Sequence, residues 1–200
     1  MSPADPLDAD ALRVSLSGQR IGNRVIVLEE ATSTNDVVLE MANESEEGLV
    51  VFAERQTAGR GQYGRRWESA IGKGLWLSIL LRPPISVSDS GQLTALLARA
   101  IQATIEEQTR LAAWIKPPND VYIAERKVAG VLVEMRVEAS GGYAAIAGIG
   151  INVNHALEDF PPELRESAGS LAMATGMLFP RNALAIELLR TLEEQYRPKR

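Results

Sequence analysis

VYIAERKVAGVLVEMRVE at residues 121–138 and YAAIAGIGINVN at residues 143–154 determine the class of fold that this chain adopts. The first stretch contains two apolar runs separated by AERK, an arrangement typical of a β-hairpin. Valine and methionine occupy every second position from Val131 to Val137, and alternate residues of a strand lie on the same face of a sheet. The second stretch predicts another strong strand. Together these stretches indicate a β-sheet.

Further strands and helices are predicted on both sides of this region. Apolar runs predict strands at residues 24–29, 48–54, 74–82 and 112–116. A weak helical pattern lies in residues 1–20, and clearer helical spacing follows Thr34, spans residues 90–110 and recurs in a closing helix with Asn182 as its N-cap. The strands dominate the middle of the chain without a regular β-α-β alternation. We therefore expect an α+β fold with a mixed, mostly antiparallel central sheet and packed helices.

The composition limits the chemistry that this protein performs. The chain has 200 residues and a net charge of -5, and it contains no cysteine, which excludes disulfides, thiolate metal sites and a cysteine nucleophile. His155, the single histidine, follows the last strand, and we expect it to be an exposed loop residue. The acidic charge argues against general nucleic-acid binding. Because no apolar run of bilayer length and no secretory signal occur, a cytoplasmic location is expected.

A basic, glycine-rich segment, RQTAGRGQYGRRW at residues 55–67, contrasts with this acidic background. Its glycines permit a close backbone approach to a ligand, and its four arginines suit a carboxylate or a phosphate. The segment matches neither the P-loop nor the dinucleotide-binding pattern. Its composition alone leaves three alternatives open: a loop that binds an anionic ligand, a solvated hairpin loop, or an RNA-contacting segment with aromatic stacking.

Five motifs follow one another along the chain: STN (33–35), QTAGRGQYGRRW (56–67), KPPND (116–120), RKVAGVLVE (126–134) and GIGINVN (148–154). Over roughly residues 25–175 the chain resembles the catalytic domain of biotin protein ligases, also called biotin–[acetyl-CoA-carboxylase] ligases. The resemblance implies the fold of the biotin/lipoate ligase catalytic domain. It also implies that biotin and ATP form biotinyl-5′-AMP. Biotin would then pass to a lysine of the biotin carboxyl carrier domain of a biotin-dependent carboxylase.

The resemblance assigns roles to particular residues of this sequence. It implies a catalytic group formed by Lys127, Arg60 and Asp120. The biotin-binding group comprises Ser33, Thr34, Asn35, Gln56, Arg60, Gly61, Gln62 and Lys127. The group that binds ATP or the adenylate comprises Arg65, Trp67, Lys116, Asn119, Asp120 and Asn152. No metal cluster made of protein ligands is expected, and Mg²⁺ would accompany ATP near Asp120.

These motifs also have purely structural explanations. The STN motif suits the N-cap of a helix, and Asn119 with Asp120 suits a turn after two prolines. Trp67 suits the core, and Lys127 suits a solvated hairpin. The small residues after Lys127 nevertheless leave room for a ligand near the backbone.

The sequence departs from the family pattern in three ways. Position 117 is proline where tryptophan is usual, and Gln62 and Tyr63 occupy positions that are often arginine. Fewer cations in the loop predict faster leakage of the adenylate. The chain also stops at residue 200, where family members commonly continue into an SH3-like domain, so that domain is expected to be absent or truncated.

The expected organisation is an N-terminal extension at residues 1–23 followed by the catalytic domain at residues 24–200. Because the extension is too short for a helix-turn-helix domain, a repressor function is not expected. The alternative functions are a lipoate–protein ligase and a non-catalytic module that binds biotin or RNA. An exposed sheet edge would support a homodimer.

Overall fold

The computed structural model describes residues 5–138 and 141–196, with a seven-stranded sheet at the centre. The strands are β1 (Arg24–Ala31), β2 (Leu49–Gln56), β3 (Gly74–Leu81), β4 (Ala113–Lys116), β5 (Asp120–Ile123), β6 (Arg126–Val137) and β7 (Tyr143–Asn152). They lie in the order β1-β2-β3-β7-β6-β5-β4. β1 and β2 are parallel, and every other neighbouring pair is antiparallel. The predicted mixed, mostly antiparallel sheet is confirmed.

Helices cover both faces of this sheet. They are α1 (Ala9–Ser15), α2 (Thr34–Met41), α3 (Ser90–Thr109), α4 (Leu171–Thr175) and α5 (Arg181–Tyr196), and short 3₁₀ turns lie at residues 42–44, 62–64, 87–89, 157–159 and 162–164. On one face, Val38 of α2 packs with Leu49 and Val51 of β2 in a small cluster. On the other face, α1, α3 and α5 pack with Val50 and Phe52 in the main core. The alternation along β2 thus divides its side chains between the two layers.

The middle strands lie where their sequences predict. All eight residues of β3 are buried, which fits an apolar run between two neighbouring strands. β5 and β6 form the predicted hairpin through Ala124 and Glu125, and Ala124 takes a positive φ of 49° at the turn. Within residues 5–138 and 141–196, no helix has the length and apolar character needed to cross a bilayer.

Two predictions about single residues are wrong. Asn182 is not the N-cap of α5, because that helix begins one residue earlier, at Arg181. The Asn182 side chain instead accepts a hydrogen bond from the backbone of Asp8 and donates one to the carbonyl of Pro6. His155 is not exposed: it is 2% accessible and stacks on Phe160 with the ring centroids 4.9 Å apart. Both errors arise from contacts with segments that local sequence patterns do not reveal.

Candidate active site

Two adjoining clefts contain the residues that the motifs single out. The small cleft, of about 440 Å³, lies over β6 and β7. The large cleft, of about 1430 Å³ and open to solvent, lies beside the turn between β4 and β5. The two clefts share Gly61, Gln62, Trp67, Asn119 and Lys127. Lys127 and Trp67 therefore lie at the junction between two compartments.

Each of the two predicted groups of residues lines one of these clefts, and five of their members line both. All eight residues of the predicted biotin-binding group line the small cleft: Ser33, Thr34, Asn35, Gln56, Arg60, Gly61, Gln62 and Lys127. All six residues of the predicted nucleotide group line the large cleft: Arg65, Trp67, Lys116, Asn119, Asp120 and Asn152. Residues that are distant in the sequence are thus brought together in two adjoining clefts.

A buried polar cluster forms one wall of the small cleft. Ser33 occupies the N-cap position of α2, yet its side chain makes no capping bond. The backbone N–H of Thr34 donates to Oε1 of Gln56 at 2.9 Å, and the Thr34 hydroxyl lies 2.7 Å from the hydroxyl of Ser78. The Ser78 hydroxyl donates to Oδ1 of Asn35 at 2.5 Å. The side chains after Ser33 are therefore held in fixed positions toward the sheet and the cleft.

This cluster includes residues that the sequence analysis did not single out. Ser78 is the one hydroxyl in the apolar run of β3, and a polar residue buried there was a signal that could have been used. Glu134 on β6 accepts a hydrogen bond from Nδ2 of Asn35 at 2.6 Å. Asp36, directly after the STN motif, pairs with Arg60. Glu134 is the last residue of the RKVAGVLVE motif, but the motif does not reveal its partners, Asn35 and Arg60.

Glycines create the space for the side chains over the sheet. A Cβ atom at Gly150 would lie 2.5 Å from Cε2 of Trp67, and one at Gly130 would lie 3.0 Å from Cζ3 of the same indole. A Cβ atom at Gly148 would collide with the Asn35 side chain. The absence of side chains at these positions lets Trp67 and Asn35 pack closely against β6 and β7.

The basic segment forms a folded loop between β2 and β3. The backbone N–H of Gly61 donates to the carbonyl of Arg65 at 2.7 Å, and that of Trp67 donates to the carbonyl of Gly59 at 2.9 Å. Tyr63, at the tip, takes a positive φ of 60° and is 87% exposed. These bonds place Gly61 and Gln62 at the boundary of both clefts while the tip extends into solvent.

Arg60 connects this loop to the rest of the domain. Its guanidinium contacts both carboxylate oxygens of Asp36, at 2.9 and 2.8 Å, and one oxygen of Glu134 at 3.1 Å. The hydrogen bond with Asp36 is the main cause that raises the pKa of Arg60, and burial partly opposes it. The loop is therefore attached to α2 and β6 by charge-assisted hydrogen bonds.

Lys127 is half-buried at the junction of the clefts rather than solvated. Its ammonium lies 2.6 Å from Oδ1 of Asp120 and 5.2 Å from the centre of a Trp67 ring. Its backbone N–H donates to Ser167 at 2.8 Å, and its carbonyl accepts from Gly169 at 2.9 Å. The backbone at Lys127 is thus anchored on both sides, and its charge lies between a carboxylate and an aromatic face.

The large cleft combines cations with amide and aromatic side chains. Lys116 and Arg65 supply charge, and the Lys116 ammonium lies 5.9 Å from the centre of the Tyr122 ring. Asn119 donates to the carbonyl of Val131 at 3.0 Å, and Asn152 donates to that of Gly169 at 2.9 Å. The amide donors of both asparagines are therefore engaged with the backbone, which fixes their orientation in the cleft wall.

The position that departs from the family pattern, Pro117, also lines the large cleft, together with Pro118.

No group of three or more His, Asp or Glu residues that could hold a metal ion occurs in the described ranges, 5–138 and 141–196. Asp120 is nevertheless a carboxylate in a cleft with several cations. A single carboxylate of this kind suits Mg²⁺ that is bound mainly by phosphates.

Residues 27–154 match the Biotin/lipoate A/B protein ligase family. The chain belongs to this family. The match covers more than half of the chain and includes all five motifs. The resemblance inferred from the motifs is thereby confirmed.

Individual members of the biotin/lipoate ligase family are similar over most of this chain. The bifunctional ligase/repressor BirA of Bacillus subtilis is 39% identical over 192 residues, which are 96% of this chain and 59% of that protein. The biotin–[acetyl-CoA-carboxylase] ligase of Mycobacterium tuberculosis is 33% identical, with 94% of this chain and 70% of that protein covered. The chain therefore spans about three fifths of the BirA protein's length.

A solved structure of the family has the same fold. The biotin protein ligase from Aquifex aeolicus, in complex with biotin and ATP, superposes with a TM-score of 0.76 and 35% identity. The superposition covers 86% of this chain and 70% of the Aquifex chain. The sheet and its helices are thus those of a biotin protein ligase catalytic domain.

Proposed function

We propose that this protein activates biotin with ATP to form biotinyl-5′-AMP and transfers the biotin to a lysine of a carrier domain. The observation that carries the proposal is the junction at Lys127, where the cleft with the predicted biotin residues meets the cleft with the predicted nucleotide residues. The relatives from Mycobacterium tuberculosis and Aquifex aeolicus, which are named for biotin ligation or bound to biotin and ATP, support the choice of substrates.

In the first step, a carboxylate oxygen of biotin bonds to the α-phosphorus of ATP as the bond from that phosphorus to pyrophosphate breaks. A carboxylate is already ionised at neutral pH, so the reaction needs no general base. The main obstacle is repulsion between the carboxylate and the triphosphate. The Lys127 ammonium, at the junction of the two clefts, would reduce that repulsion and stabilise charge on the phosphoryl group.

Asp120 would hold Mg²⁺ together with the phosphates, in the manner usual for this ion. When bound, Mg²⁺ supplies further positive charge for the leaving pyrophosphate. Arg65 and Lys116 line the same cleft and would contact the phosphates. The Trp67 indole would provide an aromatic face for the adenylate next to the lysine.

In the second step, the neutral amine of the acceptor lysine bonds to the biotinyl carbonyl carbon, the bond from that carbon to the oxygen of AMP breaks, and the nitrogen releases one proton to solvent as the amide forms. Asp120 would orient the amine, a role supported by the position of its carboxylate beside Lys127. The acceptor would be a biotin carboxyl carrier domain of a biotin-dependent carboxylase. The proposal includes a cytoplasmic location and a homodimer that uses one of the outer strands, β1 or β4.

The decisive experiment compares biotin and lipoate as substrates of the purified protein. Biotin should support exchange of labelled pyrophosphate into ATP, and labelled biotin should appear on a carrier domain only when ATP is present. Exchange supported by lipoate in place of biotin would identify a lipoate ligase. Binding of biotin without any exchange would identify a non-catalytic binding module.

A further inference from the structure

One carboxylate joins the polar cluster of the small cleft to the basic loop. Oε2 of Glu134 accepts from Nδ2 of Asn35 at 2.6 Å and from Arg60 at 3.1 Å. Asn35 belongs to α2, Arg60 to the loop, and Glu134 to β6, 99 positions after Asn35. Three separate segments therefore meet at a single oxygen atom.

The Arg60 guanidinium is already engaged by two carboxylates. Asp36 binds it through both oxygens, and Glu134 binds it through one. Paired hydrogen bonds of this kind hold a guanidinium in a defined orientation. Arg60 therefore serves first as an attachment point for the backbone of Gly61 and Gln62, which border both clefts.

Through Asn35, Glu134 is also connected to the polar wall of the small cleft. Asn35 accepts from Ser78, and Ser78 contacts Thr34, whose backbone N–H donates to Gln56. A continuous series of hydrogen bonds thus runs from this wall through Asn35 and Glu134 to the loop. Asn35 and Arg60 share Oε2 of Glu134 as their acceptor, so a change in the position of Asn35 affects the hydrogen bond between Glu134 and Arg60.

We infer that Glu134 is a positioning residue that couples the polar wall of the small cleft to closure of the loop over both clefts. The inference rests on the proposed function for its biological meaning, since a bound biotin that orders Asn35 would thereby favour the closed loop. Its physical content does not depend on any ligand. The coupling is a property of the hydrogen bonds between Asn35, Glu134 and Arg60.

Trypsin cleavage after Arg60 measures loop opening, because Asp36 and Glu134 hold this side chain, whereas Arg65 and Arg66 are already exposed. When opening is fast relative to cleavage, the cleavage rate follows the open population. Without ligand, Glu134→Gln should increase cleavage within the loop about fivefold or more, as expected for losing a charge-assisted hydrogen bond. Mass spectrometry assigns the cut sites and so separates loop opening from global unfolding.

The matched control is Glu30→Gln. Glu30 of β1 pairs with Arg55 of β2 at 3.0 Å, in a contact of the same type that lies outside both clefts. This variant should be cleaved in the loop at the wild-type rate. Asp36→Asn should accelerate cleavage as Glu134→Gln does, because it removes the other carboxylate that holds Arg60.

Asn35→Ala tests the coupling itself, because Asn35 reaches Arg60 through Glu134. It should accelerate loop cleavage in the wild-type background and add nothing once Glu134→Gln is present, since contacts in one network are not additive. Wild-type rates in Glu134→Gln, or additive effects in the double variant, would overturn the inference. Failure of the wild-type protein to bind biotin would instead refute the proposed function, and the ligand-free rates would still decide the coupling.

Discussion

At the scale of single residues, the Lys127 ammonium has surroundings that are unusual for a lysine in a hairpin. Lys127 is held by Asp120 at 2.6 Å, lies over Trp67, and has both backbone groups bonded to the segment that follows β7. Gly130 and Gly150 make the room for the indole. The position of this charge is therefore set by several independent contacts.

Replacing Lys127 with alanine should lower the rate of adenylate formation at least about 100-fold, because a preorganised charge at the reacting phosphate is lost. The fold should persist, since the side chain is partly exposed and contributes little to the core. Pyrophosphate exchange measures the activity and circular dichroism measures the fold. Lys73→Ala is the control, because Lys73 pairs with Asp159 and lines neither cleft. Wild-type exchange in Lys127→Ala would remove this residue from the mechanism.

Gln62→Arg should slow the release of the adenylate. Gln62 borders both clefts, and an added guanidinium there would attract the phosphate of the bound intermediate. Release can be followed by trapping labelled biotinyl-5′-AMP that leaves the protein. Equal release rates for the two proteins would show that the loop does not retain the intermediate through charge at this position.

At the scale of elements, the segment after β7 folds back and fastens several parts of the site. Asn152 and Lys127 bond to the backbone around Gly169, and the Ser170 hydroxyl donates to the carbonyl of His155 at 2.7 Å. His155 is enclosed between Phe160 and Trp76, with ring centroids 4.9 and 5.7 Å away. The segment is therefore held partly by a histidine in an apolar environment.

Burial lowers the pKa of His155 to about 4, although the nearby Asp159 partly opposes the shift and Lys73 adds to it. Because the folded-state pKa lies below the usual 6.5, the unfolded chain binds the proton more readily, and stability falls as the pH decreases from 6.5 toward 4. The loss over this window should be about 3 kcal/mol.

Urea unfolding of the wild-type protein at pH values from 6.5 to 4 should show the fall in the free energy of unfolding. The substitution His155→Phe should largely remove this pH dependence. Asp159 acts in a different window: backbone and Lys73 bonds lower its pKa against the effect of burial, so its contribution is lost only below its usual value of 3.8. If the free energy of unfolding changed with pH equally in His155→Phe and in the wild-type protein, another group would be responsible for the pH dependence.

At the scale of the whole molecule, the first and last described segments are joined by a buried ion pair. Arg181, at the start of α5, is 1% exposed and contacts Glu54 of β2 at 2.7 Å. It also contacts Asp5, and Glu54 accepts from the backbone of Leu7 at 2.8 Å. Leu12, Leu16 and Ile21 are fully buried in the same core as α5. The N-terminal residues that the sequence suggested were an extension thus complete the main core.

Glu54→Gln should reduce the free energy of unfolding by about 3 kcal/mol, because the buried Arg181 guanidinium loses the nearer of its two carboxylate partners, at 2.7 Å, and keeps only Asp5 at 3.8 Å. Glu30→Gln, which breaks the exposed pair with Arg55, should cost less than about 1 kcal/mol. Chemical denaturation of the three proteins measures the difference. If both variants lost the same free energy of unfolding, the buried pair of Arg181 and Glu54 would contribute no more to stability than the exposed pair of Glu30 and Arg55.

The sequence by itself determined the strands, most of the helices and the residues that line the clefts. Apolar alternation in β6 and the continuous apolar run of β3 predict strands because each pattern depends on near neighbours along the chain. The order of five motifs indicated the family. Even so, the position of Glu134 at the end of the RKVAGVLVE motif did not indicate its contacts with Asn35 and Arg60.

Only the tertiary structure decided which polar groups meet. The bond between Asn35 and Glu134 spans 99 positions, and the burial of His155 follows from a segment that folds back over β7. Such contacts depend on the order of the strands in the sheet, which places β6 beside β7 and α2 above them. Local periodicity specifies the face on which a side chain lies, whereas its partner is specified by how distant segments pack.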